Sequence, residues 1–258
     1  MCRHLAYLGP PRPLAALVLT APHGLYSQSY QPRDMRGAGT VNVDGFGVGW
    51  YRPGHDHPVR YRGGRPLWAD ESFAQIAAAT ESGAVLAAVR SATDGMPVVH
   101  TACAPFTSGS WLFSHNGSVT GWPASMAELA STVPVTDLLT MDAATDSALL
   151  WVLLRARLND GVDPGKALSE LVTAVAAAAT GSRLNLMLTD GRSVWATAWG
   201  HALNTQVTSE GLTVASESCD DLPGWEPVPE GYLVHGCAAG GIETRPIDGL
   251  DRPWVGAR

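Results

Sequence analysis

The chain has 258 residues, 45% of them hydrophobic and only 16% charged, enough apolar material for a large buried core and too little charge for a disordered protein. A net charge of -7 leaves no basic footprint for a nucleic acid. No run of about 18 uncharged apolar residues suggests a membrane span, and the N-terminus lacks a charged n-region followed by an h-region, so the reading is cytoplasmic.

The chain opens "MCRHLAYLG", with Leu5, Tyr7 and Leu8 ready to enter a sheet almost at once. That packing holds Cys2 inside the fold instead of on a mobile tail. Further strand-like runs follow in "GFGVGWY", "AVLAAVRS", "SWLFSHNG", "LNLMLTDG", "SVWATAWG", "LTVASE" and "GYLVHG". Gly, Asp-Gly or Asn-Gly bounds several of them, and "RLNLMLTDGRSVWATAWG" reads as one hairpin turning at Asp190-Gly191. Helical periodicity marks "DESFAQIAAATES", "WPASMAELAST", "TDSALLWVLLRARLND" and "DPGKALSELVTAVAAAAT". In the third, Leu149, Val152, Leu153 and Leu154 repeat at three- and four-residue spacing, and Thr145 or Asp146 suits the N-cap. The fourth starts with a proline near N1 and ends at Gly181. Strands grouped apart from two adjacent long helices predict α+β layers over a single domain, residues 1–258, with an appended tail from about Pro246.

The cysteines Cys2, Cys103, Cys219 and Cys237 form no CxxC pair and are spaced too widely for a compact zinc site. His55 and His57 lie in a Pro/Gly loop without a nearby third ligand, so a solvated turn is expected there and no metal is assigned. No cofactor is implied.

Cys2 is different. Its small side chain permits removal of Met1, which exposes an α-amine on the same residue as the thiol. An α-amine titrates near ~8 and serves as a base at neutral pH, so the thiol needs no histidine. By position alone, a small buried cysteine is the plainer reading. "AVRSATDG" places Arg90 and Thr93 just past an apolar strand, where an arginine suits either a surface ion pair or a bidentate hold on a carboxylate. "SHNG" puts Asn116 and Gly117 at a strand end, ordinarily a turn but also a compact way to aim an amide and a backbone N–H at an oxyanion. Asp146 at a helix start is a cap by default, and could also accept from an ammonium.

Taken together, "MCRHLAYLG", "DGFGVGWY" at 44–51, "VRSATDG" at 89–95, "SHNGSV" at 114–119 and "TDSALL" at 145–150 resemble, in order, the class II glutamine amidotransferase family of N-terminal-nucleophile hydrolases. The resemblance implies a four-layer αββα sandwich, a Cys2 nucleophile and an oxyanion hole of Asn116 and Gly117. It also implies that Arg90, in the loop with Thr93, holds the α-carboxylate of a glutamyl group and Asp146 its α-amine. Two departures stand out: Asp94 where many relatives carry a histidine, and Ala104 in "CAPF" where many read His-Pro-Phe. Those, with "QSYQPRDMRGAGTVNVDGFGVGWY" and "VASESCDDLPGWEPVPEG", resemble the stand-alone branch that serves ergothioneine biosynthesis by removing glutamate from a γ-glutamyl conjugate. The expected partner is therefore a small γ-glutamyl substrate, with nothing in the sequence fixing the oligomeric state. No P-loop is present to suggest a synthetase half that consumes ammonia. A glutaminase subunit supplying a separate synthase, or a silent binding module of the same fold, are the competing readings.

Overall fold

The computed structural model describes residues 2–34, 41–238 and 241–247 and arranges them as two antiparallel sheets packed face to face. In chain order the strands are β1 (Arg3–Pro13), β2 (Phe46–Trp50), β3 (Val59–Gly63), β4 (Glu81–Val89), β5 (Phe106–Ser108), β6 (Trp111–Ser118) and β7 (Arg183–Thr189). There follow β8 (Ser193–Ala198), β9 (Asn204–Thr208), β10 (Gly211–Ala215), β11 (Trp225–Pro227), β12 (Tyr232–Cys237) and β13 (Gly241–Pro246). One sheet runs β11-β9-β10-β1-β4-β2-β3, the other β13-β12-β8-β7-β6-β5. The helices are α1 (Leu14–Val18), α2 (Leu25–Gln28), α3 (Glu71–Ala79), α4 (Ala127–Ala130), α5 (Val135–Leu139), α6 (Asp146–Asn159) and α7 (Pro164–Ala178).

Three apolar layers follow from strand alternation. Leu5, Tyr7, Val85 and Val89 point outward to Leu14, Leu25 and Phe73 of α1–α3. Ala6, Leu8, Leu86, Leu112, Met187, Val194 and Val234 fill the space between the sheets. Phe113, Leu184, Leu186 and Leu188 face α6 and α7. The result is the expected αββα sandwich. Helix α6 buries Ala148 through Leu154 without a break, as a helix must when it lies between a sheet and other helices.

Local chemistry explains most element ends. Thr145, not Asp146, caps α6 by accepting from Ala148 N–H at 3.2 Å, and Asp163 caps α7 ahead of Pro164. Helix α7 stops at Ala178, three residues before Gly181. The β7–β8 turn falls at Asp190-Gly191, where Asp190 Oδ1 accepts from Arg192 N–H and Ser193 N–H at 2.8 Å each. "WPASMAELAST" does not form one helix but a 3₁₀ turn and the four-residue α4. There the Ser131 and Thr132 hydroxyls donate to Glu128 O and Leu129 O, competing with helical continuation. "SHNG" is not a turn: Asn116 and Gly117 are paired residues within β6. Of the proposed tail, Ile247 packs into the core beneath α7's layer, and residues from 248 on lie outside the described part.

Candidate active site

Cys2 immediately precedes β1, in phase with His4, Ala6 and Leu8, the residues of that strand that face the opposite sheet. Alternation therefore aims its thiol at the space between the sheets. Its position is fixed by the next residue. Arg3 is buried and donates to Cys2 O at 3.1 Å, Asp34 O at 2.7 Å and Glu217 Oε1 at 2.9 Å. Glu217 is buried too, and its second oxygen accepts from Arg33 N–H at 2.7 Å. Both charges of this desolvated pair thus have hydrogen-bond partners, the condition under which such a pair holds.

The Cys2 thiol donates to Ser91 O at 3.6 Å and faces a small pocket lined by Arg90, Cys103, Ala104, Phe106, His115 and Ser147 among others. Arg90 leaves β4 buried, and among the described residues its guanidinium makes one hydrogen bond, from Nη1 to Pro97 O at 3.0 Å. Nε and Nη2 remain to meet a ligand. Asp44 pins this loop, donating its N–H to Arg90 O and accepting from Ala92 N–H at 2.7 Å. Thr93 lies farther along the same loop, exposed, and does not line the pocket.

Asn116 reaches across from β6 and donates from Nδ2 to Ser216 Oγ at 3.2 Å. Gly117 faces Leu184 of β7, but Leu184 N–H donates to Trp199 O and Leu184 O accepts from the Thr197 hydroxyl, both on the β8 side. At that pair the backbone groups of the two strands turn away from each other. The Gly117 N–H therefore points off the β7 ladder, to the side of β6 on which β5 pairs. Gly117 must be glycine, because a Cβ there would strike the Arg183 carbonyl and the His115 ring.

Asp146 is the first helical residue of α6 and sits behind Ser147, outside the pocket lining. Its Oδ2 accepts from Val119 N–H at 2.9 Å and its Oδ1 from Ser147 N–H at 2.7 Å. The structure thus brings Cys2 and Arg90 to one pocket and leaves Asn116, Gly117, Asp146 and Thr93 outside its lining.

Three participants were invisible in the sequence. His115 Nε2 donates to Arg183 O at 2.9 Å, and its Nδ1 lies 2.9 Å from the Ser147 hydroxyl oxygen. Cys103 shares the pocket; burial first of all pushes its thiol up to about 11, so it stays protonated at neutral pH. Ser216 joins Asn116 to β1. A short "SHNG" or "ASES" string carries no sign that its serine or histidine will meet a residue a hundred positions away. All four cysteines are unpaired. His55 and His57 are exposed, and His57 Nδ1 meets Gly109 O at 3.0 Å.

A larger, open cleft lies at the other end of β1, between Leu8, Tyr51–Asp56 and Asp190–Arg192, and contains neither Cys2 nor Arg90. Its walls mix strand ends with exposed loops, and size alone does not supply a nucleophile.

Cys2 and Arg90 thus meet at one end of a two-sheet αββα sandwich. A glutamine aminotransferase class-II domain protein from Silicibacter pomeroyi shares that fold, with a TM-score of 0.70 at 23% identity over 96% of this chain and 100% of that one. So does a glutamine phosphoribosylpyrophosphate amidotransferase from B. subtilis, with a TM-score of 0.67 at 14% identity over 96% of this chain and 49% of that one. The family model "Glutamine amidotransferases class-II" matches residues 16–209, and the chain belongs to that family. It is 42% identical to a "Gamma-glutamyl-hercynylcysteine sulfoxide hydrolase" of Mycolicibacterium smegmatis, over 91% of this chain and 95% of that protein. Identity to the protein of the same name in Mycobacterium tuberculosis is 40%, over 91% and 92%.

Proposed function

We propose that this protein is a γ-glutamyl amidohydrolase that removes glutamate from γ-glutamyl-hercynylcysteine sulfoxide, a cytoplasmic step of ergothioneine biosynthesis. The observation that carries the chemistry is Cys2 and Arg90 lining one pocket. The similarity to the two mycobacterial hydrolases, which spans nearly their whole length, supports the substrate. Among the described residues no helix is long and apolar enough to cross a membrane.

In this reading Met1 is removed and the α-amine of Cys2, titrating near ~8, takes the thiol proton. The sulfur attacks the γ-carbonyl carbon, and the charge formed on oxygen is met by the Asn116 amide and the Gly117 N–H. Collapse breaks the C–N bond, the departing amine leaves with the proton, and a γ-glutamyl thioester remains. Water then adds to the thioester, a proton returns to sulfur, and glutamate is released. Arg90 holds the α-carboxylate and Asp146 the α-ammonium, Asp146 supplying lone pairs that Val119 and Ser147 leave unused.

The test is mass-spectrometric product analysis over a panel of γ-glutamyl compounds, with intact-mass determination of the N-terminus. The expected result is glutamate and hercynylcysteine sulfoxide from the conjugate, much slower turnover of glutamine, and a chain lacking Met1. Glutamine turned over in preference, with ammonia released, would point to a glutaminase subunit instead.

A further inference from the structure

Asn116 has an amide with two polar ends, and the structure satisfies only one of them. Nδ2 donates to Ser216 Oγ at 3.2 Å, whereas Oδ1 is buried with no partner among the described residues. Ser216 follows β10 and is itself buried against β1. His4 N–H donates to Ser216 Oγ at 3.0 Å, and Ser216 N–H donates to His4 O at 3.0 Å. The serine hydroxyl is thereby clamped two residues downstream of Cys2.

A serine oxygen offers two lone pairs and one proton. Here His4 N–H and Asn116 Nδ2 occupy both lone pairs, and among the described residues the proton has no acceptor. The two ends of a carboxamide have nearly the same shape, and its last torsion is soft and two-fold. A half-turn about that torsion keeps the packing, gives Oδ1 and the Ser216 proton a partner in each other, and leaves Nδ2 as the unpaired end. Ser216 Oγ–H then donates to Oδ1, His4 N–H still donates to Ser216 Oγ, and both amide protons are released.

We propose that Ser216 is the positioning residue of the oxyanion donor. In the reacting enzyme its hydroxyl holds the carbonyl end of Asn116, so that the N–H end faces the carbonyl attacked by Cys2. The inference rests on the γ-glutamyl amidohydrolase reading. Without the hydroxyl, nothing at Ser216 distinguishes the two ends, and the wrong end presents oxygen to oxygen.

Four forms would be compared with γ-glutamyl-hercynylcysteine sulfoxide, following glutamate release and Tm: wild type, Ser216→Ala, Asn116→Ala and the double variant. Asn116→Ala should lower kcat by about 10² to 10³ with little change in KM. Ser216→Ala should lower kcat by at least about tenfold, part of that donor's effect, with KM again nearly unchanged. In the Asn116→Ala background, Ser216→Ala should cost no more than about twofold, because its only route to the reaction is gone. Ser216→Thr, which keeps the hydroxyl, should recover most of kcat. Equal losses from Ser216→Ala with and without Asn116, or wild-type kcat in Ser216→Ala, would overturn the inference. Should the alanine variant not fold, Ser216→Cys, similar in size but a weak donor, should lose kcat at unchanged Tm, and wild-type kcat there would overturn it equally. A wild-type enzyme that releases no glutamate, or an Asn116→Ala enzyme of full activity, would instead bring down the underlying reading.

Discussion

The two ends of the space between the sheets are lined by the same strands, β1 and β6, and carry opposite chemistry. At one end Leu8, Leu112, Met187, Val194 and Val234 meet in a dry contact. At the other, in the same phase of the same strands, stand His4, Ser114 and Asn116, joined by hydrogen bonds to one another or to Ser216 past the end of β10, with Cys2 beyond His4. The apolar end tolerates any well-packed filling. The polar end requires each group to be met, and several of the buried unpartnered atoms cluster there: His4 Nε2, Asn116 Oδ1 and both ring nitrogens of His201. Such a region gains little stability from its own contacts. It is held in register by the dry end and by the Arg3–Glu217 pair, which leaves its side chains free to be arranged for chemistry.

The sharpest way to separate the ends is to damage each alone. Cys2→Ala should reduce glutamate release by more than about 10⁴-fold while leaving Tm unchanged, because only the sulfur forms the thioester. Retained turnover, or full activity in a protein whose Met1 is still attached, would refute the role of Cys2. Leu112→Ala, at the other end of the same interior, should cost about 2–5 kcal/mol in urea unfolding with kcat near wild type. A loss of kcat without a loss of stability would show that the two ends are not mechanically distinct.

Recognition of the glutamyl end should be a smaller effect. Arg90→Lys keeps the charge but not the two-pronged fork, so kcat/KM should fall by more than about tenfold. Asp146→Asn should act in the same direction, as each charge-assisted bond contributes about 1.5–3 kcal/mol. Unchanged kinetics in both variants would place the glutamyl group elsewhere.

How much of this was legible in the sequence follows from the range of the interactions. The dry layers were readable from alternation in "LAYLG" and "SWLFS", and the hairpin from Asp190-Gly191, since both are local signals. The short strands β3, β5, β9, β11 and β13 were not, because strands of three to six residues, four of these at sheet edges, carry mixed polarity and are stabilised by their neighbours. The candidate site was legible only as separate strings. Asn116-Gly117 reads locally as a turn, and only pairing with Asn185 and Leu184 makes it strand. Asp146 reads as a cap until Thr145 takes that place. His115, Ser147 and Ser216 gave no signal, because their meaning lies in partners 32 and 100 residues away.

The mildest test exploits the histidines of the polar end. Burial above all, with neighbouring positive groups adding to it, lowers both His4 and His201 to about 3. In the unfolded chain each should titrate near ~6.5, so as pH falls the unfolded state takes up protons that the folded state refuses. This contribution is therefore fully present above pH ~6.5 and is lost as pH drops toward about 3, at up to about 1.4 kcal/mol per pH unit for each histidine. His201 makes no side-chain hydrogen bond among the described residues, so His201→Leu removes the titration without breaking a bond. Urea unfolding of wild type and His201→Leu at pH 7, 5.5 and 4.5 should show the variant losing less stability on acidification, by roughly one histidine's share. Carboxylates titrate alike in both proteins and cancel in the difference. Parallel stability profiles would mean that His201 takes up its proton in the folded state, and that the polar end is wetter than its burial indicates.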